Sequence, residues 1–435
     1  MYKREEEQLN DFKKEYDNIV ISLDSIDQAI MTGYERAKSD QRYTARKKKY
    51  MYSVVAAALL LIGLFSSIRI SPAFANYLSE IPGMEKIVSM ILDDKGRMAA
   101  VDHKYYQELG ISDKNGNLIV TIDGTIADEK GIVLFYTLES ESKTKEIMID
   151  EVKLKAKDGM VLDEASISYG QPHYSEKGEK SFNGEIEYYF EKPITAKTYV
   201  IDLEVRGKEF SIPFTLKEFK EKKEYSVNQT MELEGQKINV EKVTIYPLRV
   251  AVHLKVDPAN KKKILHLDDM RLVDENNEVW GSITNGVTSS GNKDSDQEIY
   301  LQSNYFKEPK ELYLVLNSAQ AIDKDHAVLM VDTEKMKILK QPQGNMLRNI
   351  RKEDQELVFD LYTANGFNFS IFGKISDAQG KEVYPHSASM SSNNESGVNR
   401  IGIDFSTFKN LQNPLTIEMD FYPHWIKEHE KIRIK

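Results

Sequence analysis

The sequence predicts a mainly β protein, with tandem β-sandwich domains behind an N-terminal helical tail and one transmembrane helix. Three observations carry that expectation. Residues 51–68, MYSVVAAALLLIGLFSSI, form an uncharged apolar run; at about 1.5 Å per residue its helix would measure about 27 Å, enough to cross a bilayer's hydrocarbon core. Beyond it, apolar residues alternate with polar ones in short runs bounded by turn signals, the period of strands. Landmarks in those runs then recur three times at domain-sized intervals.

The head, residues 1–49, reads as helix. Phe12, Tyr16, Ile19, Leu23, Ile26 and Ile30 follow one another at spacings of three and four, which sets them in one stripe. Ser22 or Asp24 can cap a second helix inside this stretch, and Gly33 weakens the helix by about 1 kcal/mol relative to alanine. A head this short has no domain of its own to cover the stripe. Self-association or the membrane surface is one way to cover it; a cytoplasmic partner docked on these six residues is the preferred reading.

The basic cluster Arg46, Lys47, Lys48 and Lys49 abuts the apolar run, and acidic residues prevail after it. The positive-inside rule then places the head in the cytoplasm and the body outside, a single-pass cell-membrane topology. The cluster anchors the head to the anionic inner leaflet at about 1 kcal/mol per cation. A cleaved signal peptide ending at Ala73-Phe74-Ala75 is the competing reading, but the region before the run is too long and so is the run. The span is set at 50–69. A juxtamembrane helical segment follows at 70–115, with 79–92 interrupted by Pro82-Gly83.

The chain of 435 residues carries a formal charge of −10. Its first 49 residues hold 11 basic and 10 acidic groups, which leaves 48 against 59 and a net of −11 for the rest. An acidic body gives no footprint for nucleic acid. The absence of cysteine excludes disulfides, zinc–thiolate sites and cysteine nucleophiles.

Strands are expected at 118–122 and 132–138 around the turn Asp128-Glu129-Lys130-Gly131, and at 238–245 and 250–256 around Tyr246-Pro247-Leu248. The repeat is carried by polar turns at Asp158-Gly159, Asp274 to Asn277 and Asp377 to Gly380, followed after 35, 35 and 37 residues by Pro193, Pro309 and Pro414. Each proline precedes an alternating strand, at 199–203, 312–316 and 415–419. Three modules follow, 116–220, 221–341 and 342–435, with the charged stretch 216–225 as the first linker and 338–351 as the second boundary. Two domains plus a divergent tail is the rival division. Residues 387–397, SASMSSNNESG, read as an exposed hairpin tip.

No catalytic, cofactor-binding or metal-binding residue emerges. The eight histidines form no HExxH or other metal pattern, and GxSxG, Walker-type and GxGxxG loops are absent. His424 and His429 stand at a poor helical spacing for shared ligation. Asp268-Asp269 and Asp274-Glu275 lie at strand ends, where carboxylates solvate turns; Tyr188-Tyr189 reads as packing rather than a sugar platform. A non-enzymatic protein without cofactors is expected.

Asp27-Gln28-Ala29-Ile30 with Gly33-Tyr34-Glu35-Arg36-Ala37-Lys38, Ser71-Pro72-Ala73-Phe74-Ala75, Ile81-Pro82-Gly83, Tyr105-Tyr106-Gln107-Glu108-Leu109 and Ile132-Val133-Leu134-Phe135-Tyr136 carry a resemblance. Over residues 20–140 the chain resembles the single-pass "domain of unknown function" membrane proteins of Gram-positive bacteria, with immunoglobulin-like modules behind. These are described as anti-sigma-like partners of extracytoplasmic-function sigma factors. The resemblance implies a cytoplasmic segment that restrains a sigma factor and an outer region that senses an envelope ligand. The His/Cys zinc motif of one large class of anti-sigma domains is missing here. The rival expectation is a structural or adhesive surface protein whose β-domains bind wall polymer or another surface protein.

Overall fold

The computed structural model describes residues 84–435 except 158, 160, 161, 163, 164, 171, 172, 284–286, 364–366, 385, 386, 394–396, 405 and 407–410. The predicted stripe, basic cluster and apolar span lie outside the described residues. No described helix is long and apolar enough to cross a membrane.

Two short helices open the described chain, Met84–Ile91 and Lys95–Asp102. The first buries Met84, Ile87, Val88 and Ile91, one face at helical spacing. The second is capped by Asp94, whose carboxylate accepts from the Gly96 and Arg97 amides at 2.9 and 3.0 Å. The expected juxtamembrane helical segment does not reach residue 115, because Gln107–Asn115 is a strand. Its sequence, QELGISDKN, is too polar to announce one.

The paired strands are antiparallel, and they form three sandwiches, each with its own core. The fold class is mainly β, as expected. The first sandwich contains β1 (Gln107–Asn115), β2 (Leu118–Ala127), β3 (Gly131–Ile147), β4 (Glu151–Ala156), β5 (Ala165–Ser168), β6 (His173–Phe190), β7 (Thr198–Val205) and β8 (Lys208–Thr215). Sheet β1-β2-β3-β6-β5 packs on sheet β4-β7-β8 across a core that includes Ile122, Leu134, Tyr199, Ile201 and Phe210. Tyr199, Ile201, Leu203 and Val205 alternate inward along β7, the pattern of a strand with one face in the core.

The second sandwich contains β9 (Lys223–Leu233), β10 (Gln236–Ile245), β11 (Arg249–Val256), β12 (Lys262–His266), β13 (Met270–Asp274), β14 (Val279–Trp280), β15 (Ser289–Gly291), β16 (Asp296–Gln302) and β17 (Leu312–Asp323). One sheet runs β15-β16-β11-β10-β9 and the other β12-β17-β13-β14. The third contains β18 (Val328–Asp332), β19 (Lys337–Lys340), β20 (Leu347–Glu353), β21 (Glu356–Tyr362), β22 (Phe372–Ser376), β23 (Glu382–Val383), β24 (Ala388–Asn393), β25 (Val398–Asp404) and β26 (Leu415–Met419), in sheets β19-β18-β26-β22-β23 and β20-β21-β25-β24. The last strand, β27 (Trp425–Arg433), does not join this sheet. It returns to pair with β17, Tyr313 opposite Arg433 and Gln320 opposite Trp425, and puts Ile426 and Ile432 into the second core.

The repeat explains this path. In the first sandwich β7 pairs with the strand that follows it, β8. The counterpart of β7 in the second is β17, yet the following strand, β18, crosses into the third sandwich to pair with β26. The strand after β26 is β27, which goes back to β17. Sandwiches two and three have thus exchanged their closing strands. The expected boundary at 341/342 is displaced for this reason: the strands within 328–340 belong to the third sandwich and 425–433 to the second. The turns at Asp274 and Asp377 are chemically alike. Asp274 accepts from the amides of Asn276 and Glu278 at 2.8 and 2.7 Å, and Asp377 from those of Gln379 and Lys381 at 2.8 and 2.9 Å. The stretch read as a hairpin tip is mostly strand, β24 on the edge beside β25.

Candidate functional site

The predicted partner-binding residues Phe12, Tyr16, Ile19, Leu23, Ile26 and Ile30, and the anchoring Arg46, Lys47, Lys48 and Lys49, lie outside the described residues. Within them, the most concentrated buried charge lies at the seam between the first two sandwiches, where helix Lys95–Asp102 also packs.

The seam begins with a break in alternation. All eight residues from Gly131 to Leu138 are buried, where a strand with one solvated face would bury every second one. Leu134, Tyr136 and Leu138 face the first core; on the other face Phe135 meets Tyr106, ring centroids 6.0 Å apart.

Arg249, at the start of β11, is 1% exposed, and Glu187 on β6 equally so. Their side chains form a short ion pair across the seam. Arg97 from the helix reaches the same carboxylate at 3.2 Å and binds both oxygens of Glu185 at 2.9 Å. Arg249 also donates to the Val287 carbonyl at 3.0 Å, and its guanidinium lies 4.4 and 5.1 Å from the ring centroids of Tyr189 and Tyr300. Those two rings meet each other at 4.4 Å. Burial, with Arg97 as a like-charged neighbour, pushes the Arg249 pKa down to about 10, and it remains a cation at neutral pH.

Asp128, at the β2–β3 turn, ties the two sandwiches by backbone. One oxygen accepts from Lys130 N in its own turn at 2.8 Å, the other from Leu248 N of the second sandwich at 3.0 Å. Burial raises its pKa, while the amides of Leu248 and Lys130 and the charge of Arg249 oppose the rise. Two arginines pair with Glu185 and Glu187, Asp128 is held by backbone amides within the field of Arg249, and Glu187 Oε2 and Arg249 Nε are left without hydrogen-bond partners among the described residues. Such a cluster is a poor source of net stability but a costly thing to break, so it fixes one arrangement of the bodies that share it.

The stretch read as a linker is held as well. Tyr105 Oη accepts from Lys220 N at 3.4 Å, Tyr305 donates to the Glu221 carbonyl at 2.7 Å, and Lys222 pairs with Glu129 at 3.0 Å. Phe306 gathers His103, Tyr105 and Tyr305 around itself with centroids 5.1 to 5.5 Å away, and the Lys220 ammonium lies 5.2 Å from its ring. Helix Lys95–Asp102 touches both sandwiches: Arg97 binds the first, and Lys95 donates to the Val279 carbonyl of the second at 2.9 Å. At Gly96 an added Cβ would come within 2.6 Å of Ser303 N, so the helix can approach that loop only with glycine there.

Arg97, Glu185, Glu187 and Arg249 were not singled out from the sequence, and Asp128 was read only as part of a turn. The available signal was the unbroken run Ile132-Val133-Leu134-Phe135-Tyr136, which marks a strand covered on both faces. Among the histidines, His424 Nδ1 bonds the Ala321 carbonyl at 2.8 Å and His429 Nδ1 bonds Asn317 Oδ1 at 2.7 Å, structural roles beside β17. Tyr188 and Tyr189 are buried, one in the first core and the other in the seam.

Residues 45–140 match a domain of unknown function (DUF4179), and residues 222–361 match a family of unknown function (DUF5643). The first match runs from the basic cluster into β3; the second covers β9 to β21 and so includes the outgoing half of the strand exchange. No curated protein matches. Among solved structures, a conserved domain protein from Bacillus anthracis is similar at 20% identity and a TM-score of 0.39, over 54% of this chain and 84% of that one. The N-terminal eight immunoglobulin domains of Down Syndrome Cell Adhesion Molecule align at 9% identity and a TM-score of 0.16, over 72% of this chain and 36% of that one. At such scores the fold rests on the sheets and cores above, not on either neighbour.

Proposed function

We propose that the chain is a membrane-anchored, non-enzymatic signalling regulator of the anti-sigma type. Its cytoplasmic head, through the stripe from Phe12 to Ile30, holds an extracytoplasmic-function sigma factor, and its three sandwiches read the state of the envelope. The observation that supports this best is the seating of helix Lys95–Asp102. The chain that follows the apolar run in sequence is fastened by Arg97 to the buried charges shared by two sandwiches. A body whose only task was adhesion would not require its membrane-proximal segment to be locked to both domains. A change of angle at the seam, by contrast, moves that segment at once. The match of 45–140 to one domain of unknown function supports the same reading, because it joins the basic cluster, the apolar run, both helices and the first hairpin in a single unit.

The test is capture from the native membrane with the full chain as bait, beside a chain lacking residues 1–45. Recovery of a sigma factor by the first and not by the second is expected. If neither recovers one, and a reporter promoter is indifferent to the deletion while surface binding depends on the body, the adhesive reading replaces this one.

A further inference from the structure

A cavity of about 190 Å³ opens at one end of the second sandwich, between the start of β9, the end of β10, the β16–β17 loop and Lys435. Three lysines line it, Lys223, Lys307 and Lys435, in a body whose net charge beyond residue 49 is −11. The Lys223 and Lys435 ammoniums donate to the Tyr305 and Pro309 carbonyls at 2.9 and 2.8 Å, neutral partners that leave their charge in place. Lys223 also lies 4.7 Å from the Tyr305 ring centroid. Lys307 has no hydrogen-bond or ion-pair partner among the described residues. Glu308 is the one carboxylate side chain in the lining; it is 85% exposed and 3.7 Å from Lys223. Asn304 is a second, independent sign. It is 2% exposed, and its side chain makes no hydrogen bond among the described residues. Its Oδ1 is fully enclosed, so the surface it keeps at the cavity belongs to the Nδ2 end, which is a donor. Buried amides are rarely left without partners in native interiors.

We infer that this cavity binds a phosphate group, either free or as a monoester whose remainder extends into solvent. Lys223, Lys307 and Lys435 supply the counter-charge, and Asn304 Nδ2 donates to one phosphate oxygen. A cation would meet three ammoniums, and a neutral molecule would leave them uncompensated. A carboxylate brings one charge and two oxygens to four donor groups. A phosphate monoester brings a charge of about −1.5 to −2 near neutral pH and three strong acceptor oxygens. Lysine binds such a group as a point charge, without the planar match that arginine requires. The position also matters to the fold. Asn304 lies between Ser303, on which Gly96 of helix Lys95–Asp102 packs, and Tyr305, which holds the linker at the Glu221 carbonyl. A phosphate on Asn304 therefore fixes the loop through which the second sandwich holds both that helix and the linker.

The inference gives the outer body of the proposed regulator a ligand class, and takes from that reading only its setting. Binding is measured by calorimetry on the full chain in a maltoside detergent, which carries no phosphate of its own. Inorganic phosphate, glycerol phosphate and acetate are the probes. Inorganic phosphate is expected to bind at least about tenfold more tightly than acetate, the effect of one further charge-assisted hydrogen bond. Binding of glycerol phosphate as well marks a monoester as an admissible source, and binding of inorganic phosphate alone marks the free ion; both support the site. Lys307→Gln, at an exposed and unpartnered position, should weaken phosphate about tenfold. Asn304→Asp keeps the shape and sets a carboxylate against the ligand, and should abolish binding. Lys310→Gln, on the same loop but outside the lining, should bind as the parent does. Should Asn304→Asp fail to fold, Lys307→Glu carries the charge reversal instead and should abolish binding. Phosphate that binds no more tightly than acetate, or that Lys307→Gln weakens no more than Lys310→Gln does, overturns the inference. Sigma-factor capture by the head is a separate measurement, so the two failures are distinguishable.

Discussion

Replacing Arg249 with methionine keeps most of the side chain's length and removes its charge from the centre of the seam. Glu187, 1% exposed, then loses its closest partner, and the Val287 carbonyl loses a donor. Removing one member of a buried pair costs about 3–5 kcal/mol, because the remaining charge is left in the interior. Arg97 stays 3.2 Å from the same carboxylate and recovers part of this, which puts the expected loss near 3 kcal/mol. A chain of several sandwiches does not melt as one unit, so a global midpoint is the wrong readout. Hydrogen exchange resolves the seam directly. At 1.4 kcal/mol per tenfold, opening of the turns at 128–131 and 246–249 should become about a hundredfold more frequent, while β21 and β25 of the third sandwich stay unchanged. The double variant Glu187→Gln/Arg249→Met should lose less than the two single losses combined, by about 2 kcal/mol. Protection at the seam that changes less than threefold, or changes equally in the third sandwich, would refute the idea that this pair holds the two bodies in place.

Three further outcomes follow from the same geometry. Gly96→Ala drives a Cβ into the Ser303 backbone, and about 1–3 kcal/mol of destabilisation is expected at the helix, read as faster exchange at 95–102 with the first core undisturbed. Phe306→Ala empties the ring cluster over 216–222, so trypsin should cut after Lys220 and Lys222 many times faster than in the parent chain. His173 bonds the Tyr136 hydroxyl at 3.0 Å, and burial lowers its pKa below the unfolded value. Its contribution to stability is therefore complete above the unfolded pKa of about 6.5 and is lost as pH falls through the folded pKa. A melt of the first sandwich between pH 8 and 5 should show a shallower decline in His173→Gln than in the parent; an identical decline would exclude His173 as the titrating group.

Much of the fold was legible because its strands obey period two. The runs at 118–122, 132–138, 238–245 and 250–256 fall within β2, β3, β10 and β11, and their turns stand where Asp128 to Gly131 and Tyr246 to Leu248 predicted. What escaped had weak or misleading local signals. β1 offers only Leu109 and Ile111 as apolar inward residues, and these are only partly covered. Helix Lys95–Asp102 has little amphipathic pattern, because what it buries is Arg97 beside Gly96, Ala100 and Val101. The strand exchange cannot be read from order along the chain: β18 and β27 each sit in sequence where an ordinary closing strand would sit. The seam charges were invisible for the opposite reason, since Glu187 and Arg249 look like any surface residues at strand positions until the second sandwich covers them.

The returning strand imposes an order on biosynthesis. The strands of the third sandwich lie within 328–419, and its core is completed by Tyr422, just ahead of β27. The second sandwich, although begun earlier, must wait with the edge of β17 unpaired until 425–433 emerge. An open edge over an incomplete core is the kind of surface that nascent chains misuse for aggregation. A stop between Tyr422 and Trp425 would therefore keep the strands and core of the third sandwich and cripple the second. The earlier body is completed only after the later one has been made.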